Sequence, residues 1–256
     1  MTGRPPRDYV YGIHPVLAAL RAGRRRVHKI LLVPRERVRL AEVEAAAAAA
    51  GVRVEEANPR GLDDLVGGGT VHQGVAAIVA PYGYVELDAV LARARERGED
   101  PLVVALDCIE DPANLGGLAR SAEAFGAHGA VIPKDRAAPV TPAAIKASAG
   151  ALEHLPVAQV TNLRRALDAL KEAGLWVAAG VAPGDAGARA PWEVDLTGPL
   201  CLVIGSEGKG VRRLVAEACD HHLCLPLAGS TASLNASAAG AALMSEVVRQ
   251  RRTARR

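Results

Sequence analysis

The chain has 256 residues, 50% of them hydrophobic and only 3% aromatic, and a formal net charge of +3. That supplies apolar residues for one large or two modest cores made mostly of Ala, Val and Leu. No apolar run reaches the ~18 residues of a membrane span, and MTGRPPRDYVYGIHP at the start lacks a signal-peptide stretch, so a soluble cytoplasmic protein is expected.

In chain order, residues 8–80 read as a small α/β unit. A short helix over 14–22 is followed by a strand over 28–33 and a helix over 37–50 that carries a six-residue Ala run and stops at Gly51. A strand over 52–55, a helical turn over 61–66 and a strand over 75–79 complete the unit. Residues 81–100 read as a linker carrying a charged helix over 87–97. From Pro101 onward, short apolar strands alternate with helices: strands over 102–106, 130–132, 175–179, 200–204 and 222–225, and helices over 112–125, 142–150, 163–173, 211–218 and 233–251. That alternation predicts a parallel sheet covered by helices on both faces. The expected domains are therefore 1–80, a linker over 81–100, and 101–256.

The charge is uneven. Residues 1–40 hold ten Lys and Arg against two acids, and Arg249, Arg251, Arg252, Arg255 and Arg256 crowd the end with no acid from Val247 onward. Basic clusters suit a polyanionic partner, and equally a solvated surface in an Arg-rich chain. The four cysteines, Cys108, Cys201, Cys219 and Cys224, show no disulfide framework and read as free thiols. Cys219 to Cys224 has no second ligand pair at zinc-finger spacing, so no metal is expected.

Three polar, glycine-rich segments each follow a predicted strand: DPANLGGLARSAEAFG (111–126), LVIGSEGKGV (202–211) and LPLAGSTASLNASAAGAAL (225–243). In parallel sheets, ligands bind beyond the carboxyl ends of strands. Asp111 before Pro112 is a helix cap with a favoured first residue, and Asn114 and Arg120 lie within about 40° of each other around that helix. Gly205–Gly210 is neither a Walker loop nor a dinucleotide fingerprint, and its Glu207 sits in a tight turn at a strand end. Ser233 is the expected cap of the last helix, and capping accounts for one of Ser233, Asn235 and Ser237 but not for all three.

Together the segments resemble the SpoU/TrmH family of SPOUT methyltransferases. The family pattern Asn-x-Gly-x-x-x-Arg is matched by Asn114, Gly116 and Arg120; Gly-x-Glu-Gly by Gly205, Glu207 and Gly208; and Pro-x-x-Gly-x-x-x-Ser-Leu-Asn-x-Ser by Pro226, Gly229, Ser233, Leu234, Asn235 and Ser237. The similarity extends to YGIHPVLAAL, VHQGVAA, VIPKDRAA and VTNLRRAL, and over the whole chain it is greatest to members acting on a guanosine of 23S rRNA. Ala236 stands where the family often has Val, a change in packing rather than chemistry.

The resemblance implies an α/β SPOUT domain with a parallel sheet and a deep trefoil knot, plus a small N-terminal α/β RNA-binding domain like ribosomal protein L30e. It implies S-adenosyl-L-methionine as cofactor, a homodimer with the pocket at its interface, and 2′-O-methylation of a 23S rRNA ribose, a guanosine of the peptidyl-transferase P loop. It places Arg120 at the reacting hydroxyl, with Asn114, Glu207, Ser233 and Asn235 around it. Cofactor contacts fall to Gly180, Ile204, Gly205, Leu225, Gly229 and Leu234. Arg120 reads as an electrostatic clamp rather than a base, because a guanidinium holds its proton. Rival readings are 2′-O-methylation of tRNA or of another rRNA nucleotide, including resistance-type adenosines, and a non-catalytic RNA-binding assembly factor.

Overall fold

The computed structural model describes residues 8–185, 187–231 and 233–254, and of Arg37 only the backbone. Arg4, Arg7, Arg255 and Arg256 of the basic clusters lie outside the described residues. In chain order the elements are β1 (Asp8–Tyr11), α1 (Ile13–Ala22), β2 (Val27–Leu32), α2 (Arg37–Ala49), β3 (Val54–Glu56), α3 (Pro59–Val66), β4 (Val75–Val79), α4 (Leu87–Arg97), β5 (Leu102–Asp107) and α5 (Pro112–Ala124). There follow β6 (Gly129–Pro133), α6 (Pro142–Ala147), α7 (Ala151–His154), β7 (Val157–Val160), α8 (Leu163–Glu172), β8 (Trp176–Val181), β9 (Leu200–Gly205), α9 (Arg213–Ala216), β10 (His221–Cys224) and α10 (Ala236–Ala254).

The chain forms two compact units. One comprises the residues up to Gly83 together with Val140–His154; the other comprises Tyr84–Pro139 and the chain from Leu155 onward. The first unit holds a four-stranded sheet in the order β1-β4-β2-β3. Strand β4 runs antiparallel to both β1 and β2, and β3 runs parallel to β2. Its sequence VAAIV is buried at every position, as a central strand covered on both faces requires. Strand β1 was not anticipated; DYVY is four residues long and too short for alternation to show.

Segment 140–154, expected within the second domain, packs with the first unit instead. Arg25 holds Glu153 through two hydrogen bonds, Nε to Oε2 at 3.0 Å and Nη2 to Oε1, with side chains only 5% and 2% exposed. The Arg25 guanidinium also donates to the Ala80 carbonyl at 3.1 Å and lies 5.6 Å from the Tyr82 ring centroid. Tyr82 in turn donates its hydroxyl to the Leu152 carbonyl at 3.0 Å. The single helix expected over 142–150 is two, because Ala149 (φ 51) and Gly150 (φ 91) leave helical conformation between α6 and α7.

The second unit is the anticipated parallel sheet, with six strands in the order β10-β8-β9-β5-β6-β7, all parallel. The sixth is β7, whose VAQV was too short and too polar to read as a strand. Successive side chains alternate between faces. Val103, Ala105, Val177, Ala179, Cys201 and Val203 therefore share one face, packed on α4, α8 and α9. Helix α8 presents Leu163, Ala166, Leu167 and Leu170 to it, the i, i+3, i+4, i+7 spacing of one helical stripe. Each buried leucine there contributes about 2 kcal/mol. The other face carries α5 and α10, which pack against each other.

His128 ties the start of this sheet together. It is 1% exposed, its Nδ1 accepts from the Leu102 backbone N–H at 3.0 Å, and its Nε2 lies 3.1 Å from Glu99 Oε2. The Nδ1 acceptor role puts the proton on Nε2, so the ring is neutral and donates to Glu99. Burial pushes its pKa down, against the opposing pull of Glu99. An unfolded histidine titrates near about 6.5. Below that pH the unfolded chain takes up a proton that the folded ring resists, so stability present at neutral pH is lost as the medium acidifies, down to the folded pKa. Urea midpoints measured at pH 7.5 and 5.5 are expected to fall further in the wild type than in His128→Gln; equal falls would remove His128 as the cause.

Candidate active site

The strands of the second unit all point the same way, so the loops that follow them gather at one edge. There a cavity of about 330 Å³ opens beyond β8, β9 and β10. Its walls are residues 180–183 at the end of β8, residues 204–208 and Gly210 at the end of β9 and in the turn after it, Leu223, Leu225 and Leu227 around β10, Ser233 and Leu234 of the following loop, and one face of α10. This is the size and mixture of apolar wall and convergent polar groups typical of a small-molecule site.

The turn after β9 is built by its glycines. Ser206 and Gly210 exchange backbone hydrogen bonds, N to O at 3.2 and 2.9 Å, so Glu207 is carried at the tip of a tight loop. Gly205 lies under the return strand of that loop, and a side chain there would overlap the backbone of Gly210 and Val211. The loop is anchored by Asp107, the last residue of β5. Asp107 is fully buried and accepts from the Arg212 backbone N–H at 2.7 Å, from its Nε at 2.7 Å and from its Nη2 at 2.6 Å. This pair raises the Arg212 guanidinium above its ordinary pKa. It also holds residue 212 extended, at φ −61 and ψ 143, which is why α9 begins at Arg213 rather than at 211.

Two amide side chains from the other two segments meet at Glu207. Asn114 Nδ2 donates to Glu207 Oε1 at 2.9 Å, Asn235 Nδ2 donates to the same oxygen, and the Ala236 N–H reaches it at 3.5 Å. Asn235 Nδ2 also donates to Asn114 Oδ1 at 2.9 Å. Among the described residues, Glu207 Oε2 accepts no hydrogen bond. Asn235, not Ser233, caps the last helix: its Oδ1 accepts from the Ser237 N–H at 2.9 Å and the Ala238 N–H at 3.3 Å. An amide oxygen committed to the helix end turns its NH₂ toward Glu207, so capping and site geometry are one arrangement. Helix α10 accordingly starts at Ala236, three residues later than expected.

Of the anticipated cofactor contacts, Gly180, Ile204, Gly205, Leu225 and Leu234 line the cavity, whereas Gly229 lies on the exposed loop after β10 and does not. Gly180 leaves room for Leu243 of α10, whose Cδ1 stands 2.8 Å from where a Cβ would be. Of the anticipated catalytic set, Glu207 and Ser233 line the cavity, and Asn114 and Asn235 join it through Glu207. Arg120 lies further along α5, exposed, with no hydrogen bond or ion pair among the described residues. The Asp107–Arg212 anchor was missed; its one sequence signal is an acid closing the apolar run LVVALD.

Two of the thiols are held protonated. Burial, then the Asp107 charge, pushes the Cys108 thiol up, and burial pushes Cys219 up to about 12, so neither is a thiolate at neutral pH. The donor set fits S-adenosylmethionine: leucine and isoleucine walls for a flat heterocycle, backbone groups of the 205–210 turn for its polar edges, and a single carboxylate facing a cationic ligand.

Breaking the anchor is expected to be asymmetric. Arg212→Ala leaves a fully buried carboxylate with one remaining donor and should cost about 3 kcal/mol in urea unfolding, the low end for a buried pair because the Arg212 side chain is 43% exposed. Asp107→Asn frees a guanidinium that already reaches water and should cost about half as much.

Comparison with known proteins identifies the family. The family model described as the SpoU rRNA Methylase family matches residues 101–245, and one described as RNA 2′-O ribose methyltransferase substrate binding matches residues 9–85. YacO of Bacillus subtilis, named a TrmH family tRNA/rRNA methyltransferase, is 46% identical over 95% of this chain and 96% of its own. The 23S rRNA (guanosine-2′-O-)-methyltransferase RlmB of Pseudomonas putida is 42% identical over 97% of this chain and 98% of its own. The crystal structure of the SpoU methyltransferase AviRb from Streptomyces viridochromogenes, in complex with AdoMet, superposes with a TM-score of 0.78 at 30% identity, covering 96% of this chain and 91% of that one. The chain therefore belongs to the SpoU rRNA methylase family, the S-adenosylmethionine-dependent RNA 2′-O-ribose methyltransferases.

Proposed function

We propose that the chain methylates the 2′-hydroxyl of a ribose in 23S rRNA, a guanosine of the peptidyl-transferase P loop. The observation that carries the reading is the junction of Asn114, Glu207 and Asn235 on the rim of the cofactor cavity. The likeness over nearly the whole chain to a protein named for 23S rRNA guanosine 2′-O-methylation supports the choice of substrate.

When bound, S-adenosylmethionine supplies a methyl group on a sulfonium as the electrophile. The chain must hold the ribose oxygen in line with it, take up the hydroxyl proton and stabilise the charge that develops on oxygen. Glu207 Oε1 is saturated by the two amides, which fix the carboxylate in place. Its open Oε2 is the acceptor for the hydroxyl hydrogen. Arg120 stabilises the developing negative charge and an adjacent phosphate; a guanidinium holds its proton and is a poor base. Ser233 and Leu234 line the cavity in the segment just before Asn235.

The same reading includes a trefoil-knotted path in the second unit, a first unit of L30e type, a cytoplasmic location and a homodimer. The order β10-β8-β9-β5 supports the knot, since the chain after β10 returns past the ends of β8 and β9 before α10 lies on α5. The four-stranded mixed sheet with its flanking helices supports the L30e likeness. Arg120, outside the cavity lining and without a hydrogen bond or ion pair among the described residues, supports a site completed by a second copy. On that arrangement, mixing Arg120→Ala protein with Glu207→Gln protein is expected to restore part of the activity that each lacks alone; no restoration, or gel filtration at monomer mass, would sink the shared site.

The deciding experiment transfers labelled methyl from S-adenosylmethionine to large-subunit rRNA lacking its modifications, and maps alkali-resistant phosphodiester bonds. One resistant P-loop guanosine is expected; label on tRNA or elsewhere in rRNA would overturn the substrate and keep the chemistry. Arg120→Ala is expected to lower transfer by at least ~100-fold while cofactor affinity stays within about twofold, because Arg120 does not line the cavity. Arg120→Lys should recover part of that loss, and Glu207→Gln should lower transfer by about 10²-fold or more.

A further inference from the structure

The chain leaving β8 walls the cavity with Val181, Ala182 and Pro183, yet residues 182–185 are exposed. Gly184 has φ 93, and nothing stands within 4 Å of where its Cβ would be, so no neighbour braces the loop at its tip. Its internal turns are loose: the Asp185 N–H reaches the Ala182 carbonyl at 3.4 Å, and the Ala188 N–H reaches the Asp185 carbonyl at 3.2 Å. A wall with so few contacts of its own keeps its place beside a ligand only if something outside it holds it.

Strand β10 supplies the hold. The Arg189 N–H donates to the His222 carbonyl and the Cys224 N–H to the Arg189 carbonyl, both at 2.9 Å, so the far end of the loop runs beside β10 as a parallel bridge. His222 adds a side-chain tie. It pairs in register with Ala179, and alternation turns it away from its neighbour Leu223, which lines the cavity. Its Nδ1 stands 3.4 Å from Asp185 Oδ1, and its Nε2 lies 3.2 Å from the Ala216 carbonyl oxygen. A carbonyl and a carboxylate only accept, so the ring makes both contacts with an N–H on each nitrogen, as the imidazolium. Ala216 ends α9, the helix that follows directly on the anchored Arg212. One ring thereby joins the loop after β8 to the segment after β9. The two side chains are 25% and 40% exposed, which leaves the pair little effect on global stability and makes its consequence local.

We propose that His222 and Asp185 are positioning residues for the cofactor: they fix the wall formed by residues 181–183 against bound S-adenosylmethionine without touching it. The proposal rests on the reading that this cavity holds the cofactor. It adds that cofactor affinity depends on an ion pair whose two members both lie outside the cavity lining.

The test uses the full-length protein at pH 6.0, below the ordinary histidine range near about 6.5. It measures S-adenosylmethionine binding by calorimetry and steady-state methyl transfer to large-subunit rRNA. His222→Ala and Asp185→Ala are each expected to raise the cofactor Kd and KM about fivefold, and the double variant no further than either alone. The kcat at saturating cofactor, the KM for RNA and the melting temperature of the ligand-free protein should stay at their wild-type values, a split that a merely structural role would not give. His222→Gln, whose amide carries two N–H groups, and Asp185→Asn, which keeps an acceptor oxygen, should each recover part of the loss. Wild-type cofactor affinity in both alanine variants would overturn the proposal. So would losses that multiply in the double variant, or a lowered kcat with unchanged KM. Ala239→Phe, which fills the cavity from α10, checks the underlying reading separately. It is expected to abolish cofactor binding, and retained binding would overturn the cavity reading and the proposal together.

Discussion

The carboxylate at the end of β5 has no contact with water, and three N–H groups of one residue satisfy its oxygens. Asp107 and Arg212 are 105 residues apart, and their pairing pulls the turn after β9 down onto the neighbouring strand. The polar junction at the cavity rim depends on where that turn lies. Glu207 sits at its tip, and the amides of Asn114 and Asn235 can converge only on a carboxylate held at that height above the sheet. A buried ion pair contributes little net stability but fixes geometry, because each alternative placement leaves a charge unpaired.

The parts legible in the sequence were those whose causes are local. Strand and helix alternation after Pro101 and the chemistry of the three glycine-rich turns depend on neighbours a few residues away, and both were readable. The resemblance to a family then tied those turns to a cofactor, which spacing alone could not do. What escaped depended on distant partners. Ser233 and Asn235 are equally good caps by residue type; Asn235 takes the role because the NH₂ of its amide has Glu207 to meet, 28 residues earlier. Gly229 fits the family pattern, yet the chain carries it past the cavity on an exposed loop.

The division into units shows the same limit. Nothing in VTPAAIKASAGALEH marks it as belonging with the chain's beginning rather than with the sheet around it. Its place is set by Glu153, which is buried against an arginine 128 residues away, and by close packing of Gly150 against Ala18 and the start of α1. Residues that look like a plain amphipathic helix are the other half of a core. The chemistry-bearing half of the protein thereby contributes to the half that the family model describes as substrate binding.

That interleaving bears on how such a protein can be cut, fused or recombined. The chain passes between its two units at 83–84, 139–140 and 154–155, so neither is one uninterrupted stretch. A fragment ending near residue 83 would carry Arg25 without Glu153 and bare the surface that α6 and α7 cover. The complementary fragment would retain those two short helices with no partner for their apolar sides. Exchange of substrate-recognition modules between relatives therefore requires two cassettes moved together, and a single crossover at the apparent linker joins halves that cannot both complete their interiors.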